Sequence, residues 1–135
     1  MSFPIDFQKN ATYNSLKSGI TIETTLRFGD LEAKCLSKSD IGADFCLFGR
    51  SIAEDLEIEI ETGYRQTFST LAGGLVAFGH NIKLETVGLR FESYVYFADS
   101  YSINRNLLGR EGWLRLIKFG VIDNESQIFL SPNFE

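Results

Sequence analysis

A chain of 135 residues, 44% hydrophobic and 23% charged, is long enough to bury its own core as one domain without disulfides or metal. Its net charge of −5, with no basic stripe to offset it, argues against a phosphate backbone as partner, so no nucleic acid is expected. No apolar run is long enough to cross a bilayer, and Met1-Ser2-Phe3-Pro4-Ile5-Asp6 lacks a positive region before an apolar one, so no membrane and a cytoplasmic location are expected.

Residues 3–18 open with Phe3, Ile5 and Phe7 in alternation, which predicts a short first strand. Then Ile20, Ile22, Leu26 and Phe28 share one face while Thr21, Glu23, Thr25 and Arg27 share the other, the pattern of a half-buried strand. Gly29-Asp30 turns the chain, and residues 31–36 return with Leu31, Ala33 and Cys35 on one side. Next comes Asp40-Ile41-Gly42-Ala43-Asp44, two acids bracketing a Gly-Ala pair that lets backbone pack closely. The run Phe45-Cys46-Leu47-Phe48 behind it reads as a buried strand, so a carboxylate is held at the edge of a core. Cys35 and Cys46 stand in apolar surroundings with no histidine near them in sequence, which reads as two small buried hydrophobes in a reducing compartment. His80 is the only histidine, and neither a metal nor another cofactor is expected.

Ser51 with Glu54 three positions later predicts a capping box and a short helix through Leu56. Residues 57–61 alternate acid and isoleucine, which predicts a strand with Ile58 and Ile60 inward and the glutamates in water. Gly73, Gly74 and Gly79 lie among small and apolar residues at 70–80; this is a plain hairpin or a mobile flap over a groove. Residues 81–86 and 89–98 read as strands joined at Val87-Gly88, with Tyr94 and Tyr96 on the face of Arg90 and Glu92. Asn106 to Arg110 leads into a short helical turn at 111–116, an alternating segment at 117–123 and a last strand at 127–130. Many short strands at regular turn spacing, with two brief helices, make an all-β barrel or sandwich filling residues 1–135 as one domain.

The stretch Asp40-Ile41-Gly42-Ala43-Asp44, taken with Leu107-Leu108-Gly109-Arg110, resembles the two hallmarks of the retropepsin-like aspartic proteases. Those are Asp-Thr/Ser-Gly-Ala with a following acid, and two apolar residues followed by Gly-Arg. The likeness in order and spacing runs from about Gly19 to Leu130. It implies a closed or partly open β-barrel that is half of a homodimer acting on a peptide or protein substrate. It also implies roles: Asp40 as the catalytic carboxylate, Ile41, Gly42, Ala43 and Asp44 as its loop, and Leu107, Leu108, Gly109 and Arg110 as supports. Gly73 and Gly74 would lie at or near the flap tip, and Asp44 would pair with Arg110 through two parallel hydrogen bonds. Two carboxylates a few ångströms apart share one proton, so one serves as base toward a water and the other as acid toward the carbonyl oxygen. One Asp40 per chain then makes the dimer a prerequisite of the activity.

Two departures from the family pattern carry their own expectations. Ile41 stands where the family has a hydroxyl that bonds across the dimer axis, so Ile41→Thr is expected to raise activity or dimer affinity. Ser37-Lys38-Ser39 stands where the family is apolar, which predicts either a longer loop or an ammonium near the dyad. The alternatives to a protease are a catalytically inactive dimeric domain that binds extended peptides, and a small ligand-binding β-barrel with a continuous interior.

Overall fold

The computed structural model describes residues 1–70 and 73–133. Strands β2 (Thr21–Phe28) and β3 (Leu31–Ser39) form the predicted hairpin, paired from Thr21↔Lys38 to Phe28↔Leu31. Gly29 at the turn has φ +60°, a conformation that glycine adopts without strain. The strand β3 continues through Ser37-Lys38-Ser39, so these residues do not lengthen the loop. The aliphatic stem of Lys38 lies against Gly19, and Lys38 makes no ion pair with Asp40.

The long strand β6 (Gly73–Thr86) pairs with β5 (Tyr64–Thr70) on one side and β7 (Leu89–Ala98) on the other. Val87-Gly88 joins β6 to β7 with φ of 49° and 79°, the left-handed pair of a tight hairpin turn. Two very short strands, β4 (Leu47–Phe48) and β8 (Leu107–Leu108), complete one sheet in the order β2-β3-β8-β4-β7-β6-β5. Because β2 also pairs with β6 over Thr24–Arg27, the pairing closes on itself and leaves β5 outside the ring. A second sheet, β1-β10-β9, is built from Lys9–Thr12, Gln127–Pro132 and Ile117–Ile122. Between them Phe48, Phe97, Leu26, Leu84, Leu108 and Trp113 are withdrawn from water altogether. Trp113 satisfies its buried N–H by donating to Thr86 Oγ1 at 3.1 Å.

Four local expectations are corrected. The first strand is β1 at Lys9–Thr12, while Phe3 and Ile5 are exposed; the strand forms where β10 offers a ladder partner, and Pro4 has no N–H to give. The helix α1 (Arg50–Asp55) is present, but Gly49 is its N-cap and no side chain caps it, so the Ser51/Glu54 box does not form. Residues 57–61 are not a strand: Glu57 has φ 54° and a 3₁₀ turn follows at Ile60–Thr62, though Ile58 and Ile60 are buried and Glu57, Glu59 and Glu61 exposed, as their alternation predicts. The turn at Leu114–Leu116 is likewise 3₁₀, which leaves one α-helix among the described residues.

Candidate active site

β3 delivers Asp40 to the end of the sheet, and β8 fixes it there. Lys38 N–H donates to Asn106 O at 2.8 Å, Asp40 N–H donates to Leu108 O at 2.9 Å, and Ser39 N–H donates to Ile20 O at 2.9 Å. Leu107 pairs in parallel with Lys38 on one side and antiparallel with Leu47 on the other. The same two leucines therefore hold both ends of the loop that carries Asp40, and Leu108 roots them in the core.

Gly109 lies where two chain segments cross. A Cβ there would stand 2.2 Å from Phe45 O, 2.6 Å from Phe45 C and 2.9 Å from Ala43 O, all of them backbone atoms. Beyond it Arg110 N–H donates to Ala43 O at 2.9 Å and Glu111 N–H donates to Asp44 O at 2.8 Å, locking the two segments side by side. The Asp44–Arg110 ion pair implied by the resemblance is absent: the segments are joined through their main chains, and both side chains are exposed. A pair at such a surface gains little, and main-chain bonds already fix the register.

Asp40 is half-buried at the start of the loop. Gly42 N–H donates to its Oδ1 at 3.0 Å and Ala43 N–H to its carbonyl at 3.1 Å, a turn in which the carboxylate organises its own loop. The second carboxylate oxygen has no hydrogen-bond or ion-pair partner among the described residues. A Cβ on Gly42 would meet that Oδ1 at 3.3 Å, so close approach to the acid distinguishes this glycine, whose φ is not positive. Ile41 projects from the tip of the turn and is 65% exposed.

The register Thr70↔Gly73 and Ser69↔Gly74 puts Gly73 and Gly74 beside the tip of the β5–β6 hairpin; residues 71 and 72, within the expected flap segment, lie outside the described residues. Gly73 has φ +117°, a conformation side chains rarely adopt. Sequence reasoning missed what ties this hairpin to the Asp40 loop. Phe45 of the loop, Phe68 of β5 and Tyr96 of β7 meet as a trio, with ring centroids 5.7, 5.1 and 5.2 Å apart. Tyr94 joins at 5.6 Å from Tyr96 and its hydroxyl lies over Gly79. Such contacts bring together residues far apart in sequence, so no local pattern signals them.

Arg50 was also missed. Its guanidinium bonds Glu61 at 2.7 Å and Asp99 at 3.2 Å and lies 5.5 Å from the Tyr101 ring, joining α1 to the segments on either side of the hairpin. That hydrogen bond holds the Glu61 carboxyl below its ordinary range. Burial pushes the Cys46 thiol up to about 12, and it sits between Gly109 N–H and Glu111 O as packing, not as a nucleophile. His80 Nε2 is 2.8 Å from Ile60 O, a structural contact. Among the described residues no three His, Cys, Asp or Glu side chains gather as a metal site, and no helix is long and apolar enough to cross a membrane.

The fold has solved counterparts. A retropepsin-like aspartic protease from Rickettsia conorii superposes with a TM-score of 0.65 at 16% identity, covering 90% of this chain and 96% of that one. The EIAV protease, solved with the inhibitor HBY-793, superposes with a TM-score of 0.53 at 20% identity, over 74% of this chain and 88% of its own. No protein-family model matches the chain, and no curated protein matches it in sequence. The mostly β architecture is thus that of the retropepsin-like proteases.

Proposed function

We propose that this chain is one half of a homodimeric aspartic endopeptidase, in which Asp40 from each of two copies forms the catalytic dyad. The observation that carries this reading is the mounting of Asp40: its N–H is fixed to Leu108, one oxygen is fixed by Gly42, and the other oxygen is left without a protein partner, within a retropepsin-like fold. Two such acids facing one another cannot both ionise. The ionised Asp40 takes a proton from a water as that water attacks the scissile carbonyl, and the neutral Asp40 gives its proton to the carbonyl oxygen. The tetrahedral diol then collapses with transfer of a proton to the leaving nitrogen. The protons belong to the pair, so the pH profile reports the dyad and not one residue. Leu107, Leu108 and Gly109 support the loop, Gly73 and Gly74 give the overlying hairpin its tip, and the substrate is an extended peptide. The free thiols of Cys35 and Cys46 suit a reducing compartment such as the cytoplasm.

Incubating a peptide library with wild type and with Asp40→Asn at mildly acid pH tests this: wild type cleaves and Asp40→Asn does not. Equal turnover by both removes Asp40 from the chemistry. The exposed Ile41, in place of a hydroxyl, favours a second reading as a silent peptide-binding dimer, which peptide binding without turnover at high protein concentration selects.

A further inference from the structure

Cross-strand register gathers three tyrosines on one face of β5, β6 and β7. Tyr64, Gly79 and Tyr96 form one row across the three strands, and Tyr94 stands in the next. Gly79 brings no side chain, and the Tyr94 ring and hydroxyl lie where its Cβ would stand. Tyr96 is only 5% exposed, in contact with Phe45, Phe68 and Tyr94, whereas Tyr94 is 37% and Tyr64 64% exposed. None of the three hydroxyls has a hydrogen-bond partner among the described residues, and the Tyr96 oxygen is not sealed off from the surface. A tyrosine this deeply packed ordinarily gives its O–H to a protein partner, so the unpartnered Tyr96 points to a ligand. Burial, then the Tyr94 and Tyr64 hydroxyls beside it, raise the Tyr96 phenol above its ordinary range, so it remains a donor at neutral pH.

The main chains of β6 and β7 are spent on neighbouring strands, Tyr96 N–H on Cys46 O at 3.0 Å among them. A peptide lying on this face therefore meets ring surface and phenolic O–H groups but no free ladder: its carbonyls find donors and its N–H groups do not. Proline has the carbonyl without the N–H, and a proline-rich segment is extended beforehand, so docking it orders little. We infer that the Tyr64, Tyr94 and Tyr96 face binds a proline-rich segment of a polypeptide, its rings on the aromatic surface and its carbonyls accepting from the tyrosine hydroxyls. Resting on the endopeptidase reading above, that segment belongs to the substrate. Phe45 joins the two places: it follows Asp40 by five residues, at most about 18 Å of chain, and its ring touches Tyr96. The face thus selects substrates whose proline-rich tract lies within about nine residues of the scissile bond.

Fluorescence anisotropy of a labelled polyproline peptide of about ten residues, beside a glycine-serine peptide of equal length, reads this out on the full chain. The proteins are wild type, the double variant Tyr64→Phe/Tyr94→Phe and Tyr96→Phe, with thermal midpoints as the check on folding; phenylalanine keeps each ring and removes only the O–H. Wild type is expected to bind polyproline at least about tenfold more tightly than the glycine-serine peptide, with Kd raised about tenfold in the double variant and about threefold in Tyr96→Phe. Joined to a cleavable sequence, the tract should lower KM and leave kcat unchanged, an advantage that the double variant loses. Polyproline that binds no better than glycine-serine, or equally to wild type and the folded variants, overturns the inference, and Asp40-dependent cleavage then leaves the dyad standing. Hydroxyl-dependent binding of polyproline without cleavage of any peptide upholds this surface and removes the endopeptidase reading.

Discussion

Gly109→Ala isolates the contact on which the Asp40 loop rests. The added Cβ would lie 2.2 Å from Phe45 O, 2.6 Å from Phe45 C and 2.9 Å from Ala43 O, where real Cβ atoms stay beyond 3.0 Å. All three are backbone atoms, so no rotamer change relieves the overlap and the two segments must part. Parting them strains the bonds from Arg110 N–H to Ala43 O and from Glu111 N–H to Asp44 O, each worth about 1 kcal/mol. Overpacking of a closed contact costs about 1–3 kcal/mol by itself. The sum, about 3–5 kcal/mol, is a large share of the roughly 5–15 kcal/mol that holds a domain folded. Urea unfolding followed by Trp113 fluorescence measures it, and with a slope of about 2 kcal/mol/M the midpoint falls by about 1.5–2.5 M. Gly42→Ala is the control: its Cβ would meet a single side-chain atom, Asp40 Oδ1 at 3.3 Å, which a small shift relieves, and its φ is not positive, so its midpoint moves by less than about 0.5 M. Equal midpoints for wild type and Gly109→Ala would refute the crossing argument.

The two thiols are expected to be inert in the folded state: Cys46, pushed up to about 12 by burial, stays unlabelled by a thiol reagent at pH 8 until urea is added, and Cys35, also raised by burial, reacts slowly. Fast labelling of Cys46 in the native protein would contradict its packing. Acid should loosen the fold through Glu85 and Glu61, whose hydrogen bonds to Arg27 and Arg50 depress their carboxyl titrations. A depressed carboxyl contributes stability above its unfolded pKa and loses it as the pH falls through the folded value, so thermal midpoints decline below about pH 4.5. Glu85→Gln should flatten that decline, and an unchanged slope would count against it. Phe68→Ala removes the β5 ring of the Phe45–Phe68–Tyr96 trio and should speed amide exchange in the β5–β6 hairpin while leaving β2 and β3 protected; uniform acceleration would mean that the trio serves the whole core instead.

Alternation made much of the sheet legible. Ile22 and Leu26 on β2 and Leu89, Val95 and Phe97 on β7 face inward as their period of two requires, and the turns at Gly29 and Val87-Gly88 lie where the sequence puts them. Expectations failed where local signals compete with tertiary partners. Phe3 and Ile5 alternate well enough for a strand but have no edge to pair with, and Ser51/Glu54 spells a capping box although the N-cap is Gly49, two residues earlier, with no side chain capping it. At the site, Leu107, Leu108 and Gly109 entered only through the family resemblance, and the crossing that leaves no room for a Cβ at Gly109 is visible only in the structure. The main-chain link that joins the two segments in place of the implied Asp44–Arg110 ion pair was not legible either, since side-chain direction at an exposed crossing is set by neighbours that sequence spacing does not reveal. The Phe45–Phe68–Tyr96 trio and the Arg50 hub join segments distant in the chain and leave no periodic trace.

Whether catalysis needs one Asp40 from each of two copies can be measured by mixing. At fixed wild-type concentration, an equal amount of Asp40→Asn is allowed to exchange subunits, and peptide cleavage is followed. Random pairing then places about half of the wild-type chains opposite an asparagine, so the rate is predicted to fall to about half. A rate that stays constant as Asp40→Asn is added, with exchange verified, would mean that a single acid suffices and would contradict the dyad.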